Sequence, residues 1–202
     1  MLNTNFHMPG FRHNEYMLVL DLPETLRHKI ENARKGMVEK FKIDQPKTGR
    51  PHISLARFIV PQMLEEKTLY RMQVIAMGQS PFRIDLKNYA GYPMHSICIP
   101  LENQQPVLQL IKKLKESRQL MKTGGTDPYF LTDPTIPLLA KLDKKIYLDI
   151  MKEYEQRSFT GRFVADSILI LKRRVGEKKY QIARRFEFQG LQVEARQGLL
   201  FS

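Results

Sequence analysis

Short apolar runs alternate with longer amphipathic stretches along most of the chain. Tyr16–Leu22 (YMLVLDL) is an apolar run stopped by Pro23, the pattern of a buried strand. Pro23–Phe41 carries Leu26, Ile30, Ala33, Met37 and Phe41 at helical spacing, with Pro23 and Glu24 at its start. After the turn-forming PKTGRP, His52–Ile59 reads as a strand and Pro61–Met77 as a helix, acidic in its early turns and closed by Gly78. Two strands, Phe82–Tyr89 and His95–Leu101, are joined by AGYP and predict a hairpin. Pro106–Met121 is a third helix, with Val107, Leu110, Ile111 and Leu114 on one face and Lys112, Lys113 and Lys115 on the other. Residues 122–134 have loop composition, and Ile136–Leu142 is apolar again. Asp143 is placed to cap a helix to about Gln156. Strands near Arg162–Lys172 and Lys178–Phe188 form a second hairpin, bent at Val175, Gly176 and Glu177.

The order of elements repeats in two similar halves without a strong sequence repeat. Interspersed helices exclude an all-β sandwich, and the hairpins argue against a purely parallel sheet. The expectation is an α+β fold. A segment of 1–15 precedes the body at 16–188, and a tail of 189–202 follows.

Composition narrows the picture. With 202 residues and 42% hydrophobic content, the chain can bury a real core. A single cysteine, Cys98, excludes an intrachain disulfide framework and fits a reducing compartment. No apolar run is long enough to span a bilayer, and the N-terminus lacks signal-peptide grammar. A cytoplasmic location, no membrane partner and a monomer are expected. The net charge of +12 points to anionic partners, RNA or nucleotide phosphates. Residues 172–185 (KRRVGEKKYQIARR) hold a net +6, half of that excess. They read either as a phosphate-attracting edge, with Lys172, Arg173 and Arg174 as contacts, or as a solvated hairpin tip that discourages edge pairing.

Familiar catalytic signatures are missing: there is no P-loop, Rossmann fingerprint, HExxH or Cys/His cluster. No cofactor or metal is called for. The sharpest local feature is Pro51-His52-Ile53-Ser54-Leu55-Ala56-Arg57-Phe58. Strand alternation sets His52 and Ser54 on one face, and Ile53, Leu55 and Arg57 on the other. An imidazole and a hydroxyl so placed can bracket a phosphate.

With these residues the sequence resembles the 2H phosphoesterase superfamily, in its bacterial 2′-5′ RNA ligase-like (cyclic phosphodiesterase) branch. The resemblance is carried by PHISLARF (51–58), GYPMHSICIPLENQQPVLQLIKKL (91–114), FVADSILILKR (163–173) and YQIARRFEF (180–188). It implies a bilobal fold, two pseudo-symmetric halves with antiparallel-rich sheets around a central cleft and helices outside. It also implies one histidine-hydroxyl motif per lobe and action on RNA ends or 2′,3′-cyclic phosphates. His52 and Ser54 match the first motif. The segment expected to carry the second, Asp133–Leu142, puts Thr135 at the histidine position and Pro137 at the hydroxyl position. No histidine occurs after His95. Threonine does not exchange a proton near neutral pH and proline has no donor. Loss of one acid–base partner forfeits about 10²–10⁴ in rate. Three readings remain open: a catalytically impaired protein binding RNA ends or nucleotides, an active phosphodiesterase with an unrecognised second acid or base, and a non-catalytic structural or regulatory protein. Tyr129, which can stack on a base, Arg57 and Lys141 are further candidate contacts. The 172–185 hairpin falls in the part resembling the second lobe.

Overall fold

A computed structural model describes residues 12–43, 49–91, 95–122 and 126–192. Its first strand, β1 (His13–Leu20), starts earlier than the apolar run and ends sooner. Asn14 and Glu15 are buried there, because pairing continues along β2 (Ile53–Pro61) and on the other side along β9 (Ser167–Arg174). A buried carboxylate inside a strand is invisible to an apolar-run criterion.

Helix α1 (Glu24–Lys40) runs unbroken through Gly36 and buries Leu26, Ile30 and Met37. Pro61 closes β2, and a 3-10 turn over Gln62–Leu64 leads into α2 (Glu65–Met77). Then come β3 (Phe82–Lys87), β4 (Ala90–Gly91) and β5 (Ile97–Pro100). The third helix is split into α3 (Gln105–Lys115) and α4 (Arg118–Met121). The break falls at Ser117, a residue type that competes with helical hydrogen bonding. Within the expected loop lies a short strand, β6 (Tyr129–Phe130), followed by β7 (Thr135–Leu139). Asp143 stands at the N-cap of α5 (Lys144–Tyr154), as its position predicts, but its side chain makes no capping bond.

The expected single strand near 162–172 is two strands. β8 (Thr160–Ala165) pairs with β3, and β9 pairs with β1. Asp166 is the junction: Ser167 Oγ donates to its carboxylate and the Phe188 N–H to its carbonyl, so the chain changes sheets there with its polar groups satisfied. The expected 82–101 hairpin is likewise replaced. β3 takes β8 as partner, β5 lies between β4 and β7, and among the described residues the two runs are joined by the isolated Leu86–Leu101 bridge. The second hairpin is found as expected, β9 against β10 (Gln181–Glu187), with Gly176 in the left-handed region at the bend.

The result is a mixed fold of antiparallel sheets: a five-stranded sheet in order β10-β9-β1-β2-β6, a β3-β8 pair, and a β4-β5-β7 sheet. One buried cluster runs from Tyr16, Leu18 and Phe58 through Ile97, Ile136 and Leu138 to Ile168 and Ile170. Beyond β10, Gly190 and Leu191 donate to the carbonyls of Gln79 and Met77, which pins the start of the C-terminal segment to the end of α2.

This topology corrects one expectation directly. The basic 172–185 hairpin is in the same sheet as the His52 strand, not with β7, which carries Thr135 and Pro137. The crossing at Asp166 is responsible.

Candidate functional site

His52 sits immediately before β2, after a buried Pro51 whose fixed φ favours an extended path. Its Nδ1 lies 2.8 Å from the Arg50 carbonyl, which accepts only, so Nδ1 carries the proton of the neutral ring. Nε2, 3.2 Å from Ser54 Oγ, is then the acceptor and the serine hydroxyl the donor. Burial holds the imidazole below its ordinary pKa of 6.5; the Arg50 carbonyl and Asp21 oppose this, while Arg34 and Arg50 add to it. Near neutral pH the ring is therefore uncharged, with its Nε2 lone pair directed at the serine. Arg50 is fixed in turn by Asp21, at 3.0 and 2.7 Å from the two carboxylate oxygens. Asp21 also meets Arg185 at 3.3 Å and Arg27 at 3.8 Å.

The parity of β2 differs from simple alternation. Leu18 pairs with Ala56 but Val19 pairs with Ser54, so Leu55 is an extra residue, a β-bulge. Val19 and Met17 share a face of β1, and Met17 pairs with Arg57. Arg57 therefore lies on the same face as Ser54, not opposite it. Met17 Sδ is also 4.0 Å from Ser54 Oγ. Tyr129 of β6 stands across from Arg57, and both are exposed, 57% for the tyrosine and 60% for the arginine side chain.

The same face carries Glu15, whose residue is 8% exposed. Its Oε2 accepts from Arg173 at 2.6 and 2.8 Å and its Oε1 from the Tyr180 hydroxyl at 2.7 Å; Arg57 Nε lies 3.7 Å away. Arg173 also stacks over the Tyr180 ring at 4.4 Å. Burial, then the hydrogen bond and charge of Glu15, push the Tyr180 hydroxyl up to about 12. Glu15 and Tyr180 were not expected from the sequence; Glu15 lies one residue before the expected strand Tyr16–Leu22, and only the earlier start of β1 brings it into the sheet.

Alternation divides the basic hairpin. Arg173, paired with Glu15, and Arg185, which donates to Ser167 Oγ, stand on the His52 face. Lys172 pairs with Tyr16 on the other face, where it meets Glu65 at 2.6 Å, and Arg174 pairs with Asn14 on that side too. Of the three hairpin contacts expected from sequence, one is therefore on the His52 face and two are behind the sheet. Lys178 and Lys179 stand in the exposed turn.

In β7, Thr135 is half-buried and Pro137 exposed, on one face, with Ile136 and Leu138 buried on the other. β7 packs alongside β2. Lys141 follows in a left-handed conformation and is exposed. Asp133 accepts from Gln104 Nε2 at 2.6 Å, and His95 meets Ser96 Oγ at 2.8 Å; neither is bonded to His52. Among the described residues no group of three or more His, Cys, Asp or Glu is placed to hold a metal, and no helix is long and apolar enough to cross a membrane.

This combination of sheets and helices is the 2H phosphoesterase fold, of the LigT type. Escherichia coli LigT without ligand superposes with a TM-score of 0.63 at 15% identity, covering 88% of this chain and 98% of that one. A protein of Thermus thermophilus superposes equally well, with a TM-score of 0.63 at 18% identity over 87% of this chain and 98% of its own. The E. coli LigT complex with 3′-AMP gives 0.59 at 16% identity over 88% and 98%. No protein-family model and no curated protein matches the sequence.

Proposed function

We propose that the chain is a phosphate-binding protein of the 2H phosphoesterase type that keeps one half of a two-histidine site and takes RNA ends or nucleotides without efficient turnover. The observation that carries this reading is the His52–Ser54 pair, held in hydrogen-bonding register on one face of the sheet. Its ring has one nitrogen committed to a backbone carbonyl and the other accepting from Ser54, a bond that a phosphate can replace. A phosphate monoester monoanion entering there takes the serine hydroxyl as a donor to a non-bridging oxygen, while its own P–OH donates to the Nε2 lone pair that the serine has left. Arg57 on the same face supplies charge, and Tyr129 beside it a ring on which a base can stack. Structures of LigT with 3′-AMP and with phosphate support this choice of ligand class.

Against turnover stand Thr135 and Pro137, which occupy the positions the resemblance assigns to a second histidine and hydroxyl. Neither exchanges a proton near neutral pH, so the departing oxygen lacks its acid.

Calorimetry with 3′-AMP tests the binding half of the proposal. Wild-type protein is expected to bind, and His52→Ala and Ser54→Ala to bind at least several-fold more weakly. Equal affinity in all three overturns the assignment of the site.

A further inference from the structure

The second face of the basic hairpin lines a groove of its own. Between α2 and the β9–β10 hairpin, on the side of the sheet away from Ser54, lies a groove of about 670 Å³. That size is within the range of sites that take small organic ligands. Its rim carries Arg12, Arg174 and Arg184. Arg184 meets only the exposed Glu66 at 3.5 Å, and no ion pair to Arg12 or Arg174 is found among the described residues. The floor is polar and largely buried. Asn14 is 5% exposed, and the Glu65 carboxylate is neutralised by Lys172 at 2.6 and 2.8 Å. Behind them the fully buried Tyr16 hydroxyl lies beside Glu65 and Asn14 without a hydrogen bond of full geometry to either. Burial and the nearby Glu65 charge both push its pKa up, so it stays protonated.

A solvated hairpin tip needs no such floor. We infer that this groove is a second anion site, one that holds the phosphodiester backbone of a single-stranded nucleic acid. The guanidinium fork matches phosphate oxygens, and three of them on one rim suit consecutive phosphates better than one isolated ion. Because Lys172 already neutralises Glu65, the floor does not repel the anion. Asn14 and Glu65 offer acceptors to a ribose hydroxyl or a base amine, groups that the carboxylates of an acidic peptide do not supply. Glu177, at the hairpin bend, is the one further carboxylate on the lining, and it accepts from the Arg174 backbone.

The inference does not rest on the His52 reading, because the two sites are on opposite faces of one sheet. The probe is a fluorescent single-stranded RNA ending in a 3′-hydroxyl, followed by anisotropy over a salt series. Arg12→Ala/Arg174→Ala is expected to weaken binding about tenfold or more at low salt. It should also flatten the slope of log affinity against log salt by about 1.4, at about 0.7 for each phosphate that is no longer neutralised. The double variant should leave 3′-AMP binding unchanged. Inorganic polyphosphate should displace the RNA, and polyglutamate of equal charge should not. Unaltered affinity and slope in the double variant, with its melting temperature intact, overturn the inference. So does equal displacement by polyglutamate, or failure of polyphosphate to compete.

Discussion

Glu15→Gln is a severe test of how the His52 face is held together. The carboxylate joins three strands: β1 carries it, β9 supplies Arg173 at 2.6 Å and β2 supplies Arg57 at 3.7 Å. The amide keeps the shape and one acceptor, so the Tyr180 hydroxyl keeps a partner, but the charge is gone. Breaking a buried ion pair from one side costs about 3–5 kcal/mol, because the remaining charge is stranded. Here Arg173 is 23% exposed and Arg57 60% exposed, so water screens part of that loss. The expected destabilisation is about 2–3 kcal/mol, chiefly from Arg173. For a chain of this length each kcal/mol moves the melting temperature by about 2–4 °C, so the fall should be about 4–12 °C. A second readout separates this from a general packing defect. Glu15 is one cause of the raised Tyr180 pKa of about 12, so in the variant that tyrosine should titrate closer to its ordinary value of 10. Difference absorbance of phenolate between about pH 9 and 12.5, with Tyr180→Phe as reference, reports it. A melting point within about 2 °C of wild type, together with an unmoved Tyr180 titration, would show that the Glu15 charge does not hold this face together.

The fully buried Tyr16 hydroxyl makes no hydrogen bond of full geometry to its neighbours Glu65 and Asn14, so Tyr16→Phe should leave the melting temperature unchanged or raise it; a loss above about 1 kcal/mol would show that one of them is its partner. For His52 the folded pKa lies below the unfolded 6.5. The neutral ring thus contributes stability that is complete above pH 6.5 and is lost as pH falls below it through the folded value. The stability gap between wild type and His52→Asn should narrow on acidification from about pH 7.5 to 5, and a widening gap would contradict the burial argument. At Gly91 an added Cβ would stand 2.7 Å from Tyr147 Cζ. Gly91→Ala should therefore cost about 1–3 kcal/mol in denaturant unfolding, partly recovered by Tyr147→Phe; a neutral Gly91→Ala would show that α5 yields freely.

Much of this fold was legible in the sequence, because helix stripes and apolar strands are local patterns. α1, β2, α3 and the β9–β10 hairpin all stand near where periodicity puts them. What escaped was decided by pairing between distant segments. One residue, Asp166, hands the chain from the β3 partner to the five-stranded sheet, and nothing in an alternating run announces such a switch. The bulge at Leu55 likewise inverts the parity of Arg57, because the missing pairing partner is a property of two strands together. The same reasoning divides the basic hairpin: sequence gives its charge, but only the register with β1 tells Arg173 from Lys172 and Arg174. His52 and Ser54 were legible because their two-residue spacing lies on the near side of the bulge.

In the proposed site, His52 and Ser54 bind phosphate and β7 offers no proton donor for the departing oxygen. Turnover of adenosine 2′,3′-cyclic phosphate tests it most directly, measured with wild type, His52→Ala and Thr135→His/Pro137→Thr. Wild type should show no His52-dependent hydrolysis. The double variant, with an imidazole and a hydroxyl returned to β7, should gain rate toward the roughly 10²–10⁴-fold that one acid–base partner supplies. Hydrolysis by wild type that disappears in His52→Ala would show that a proton donor does face His52.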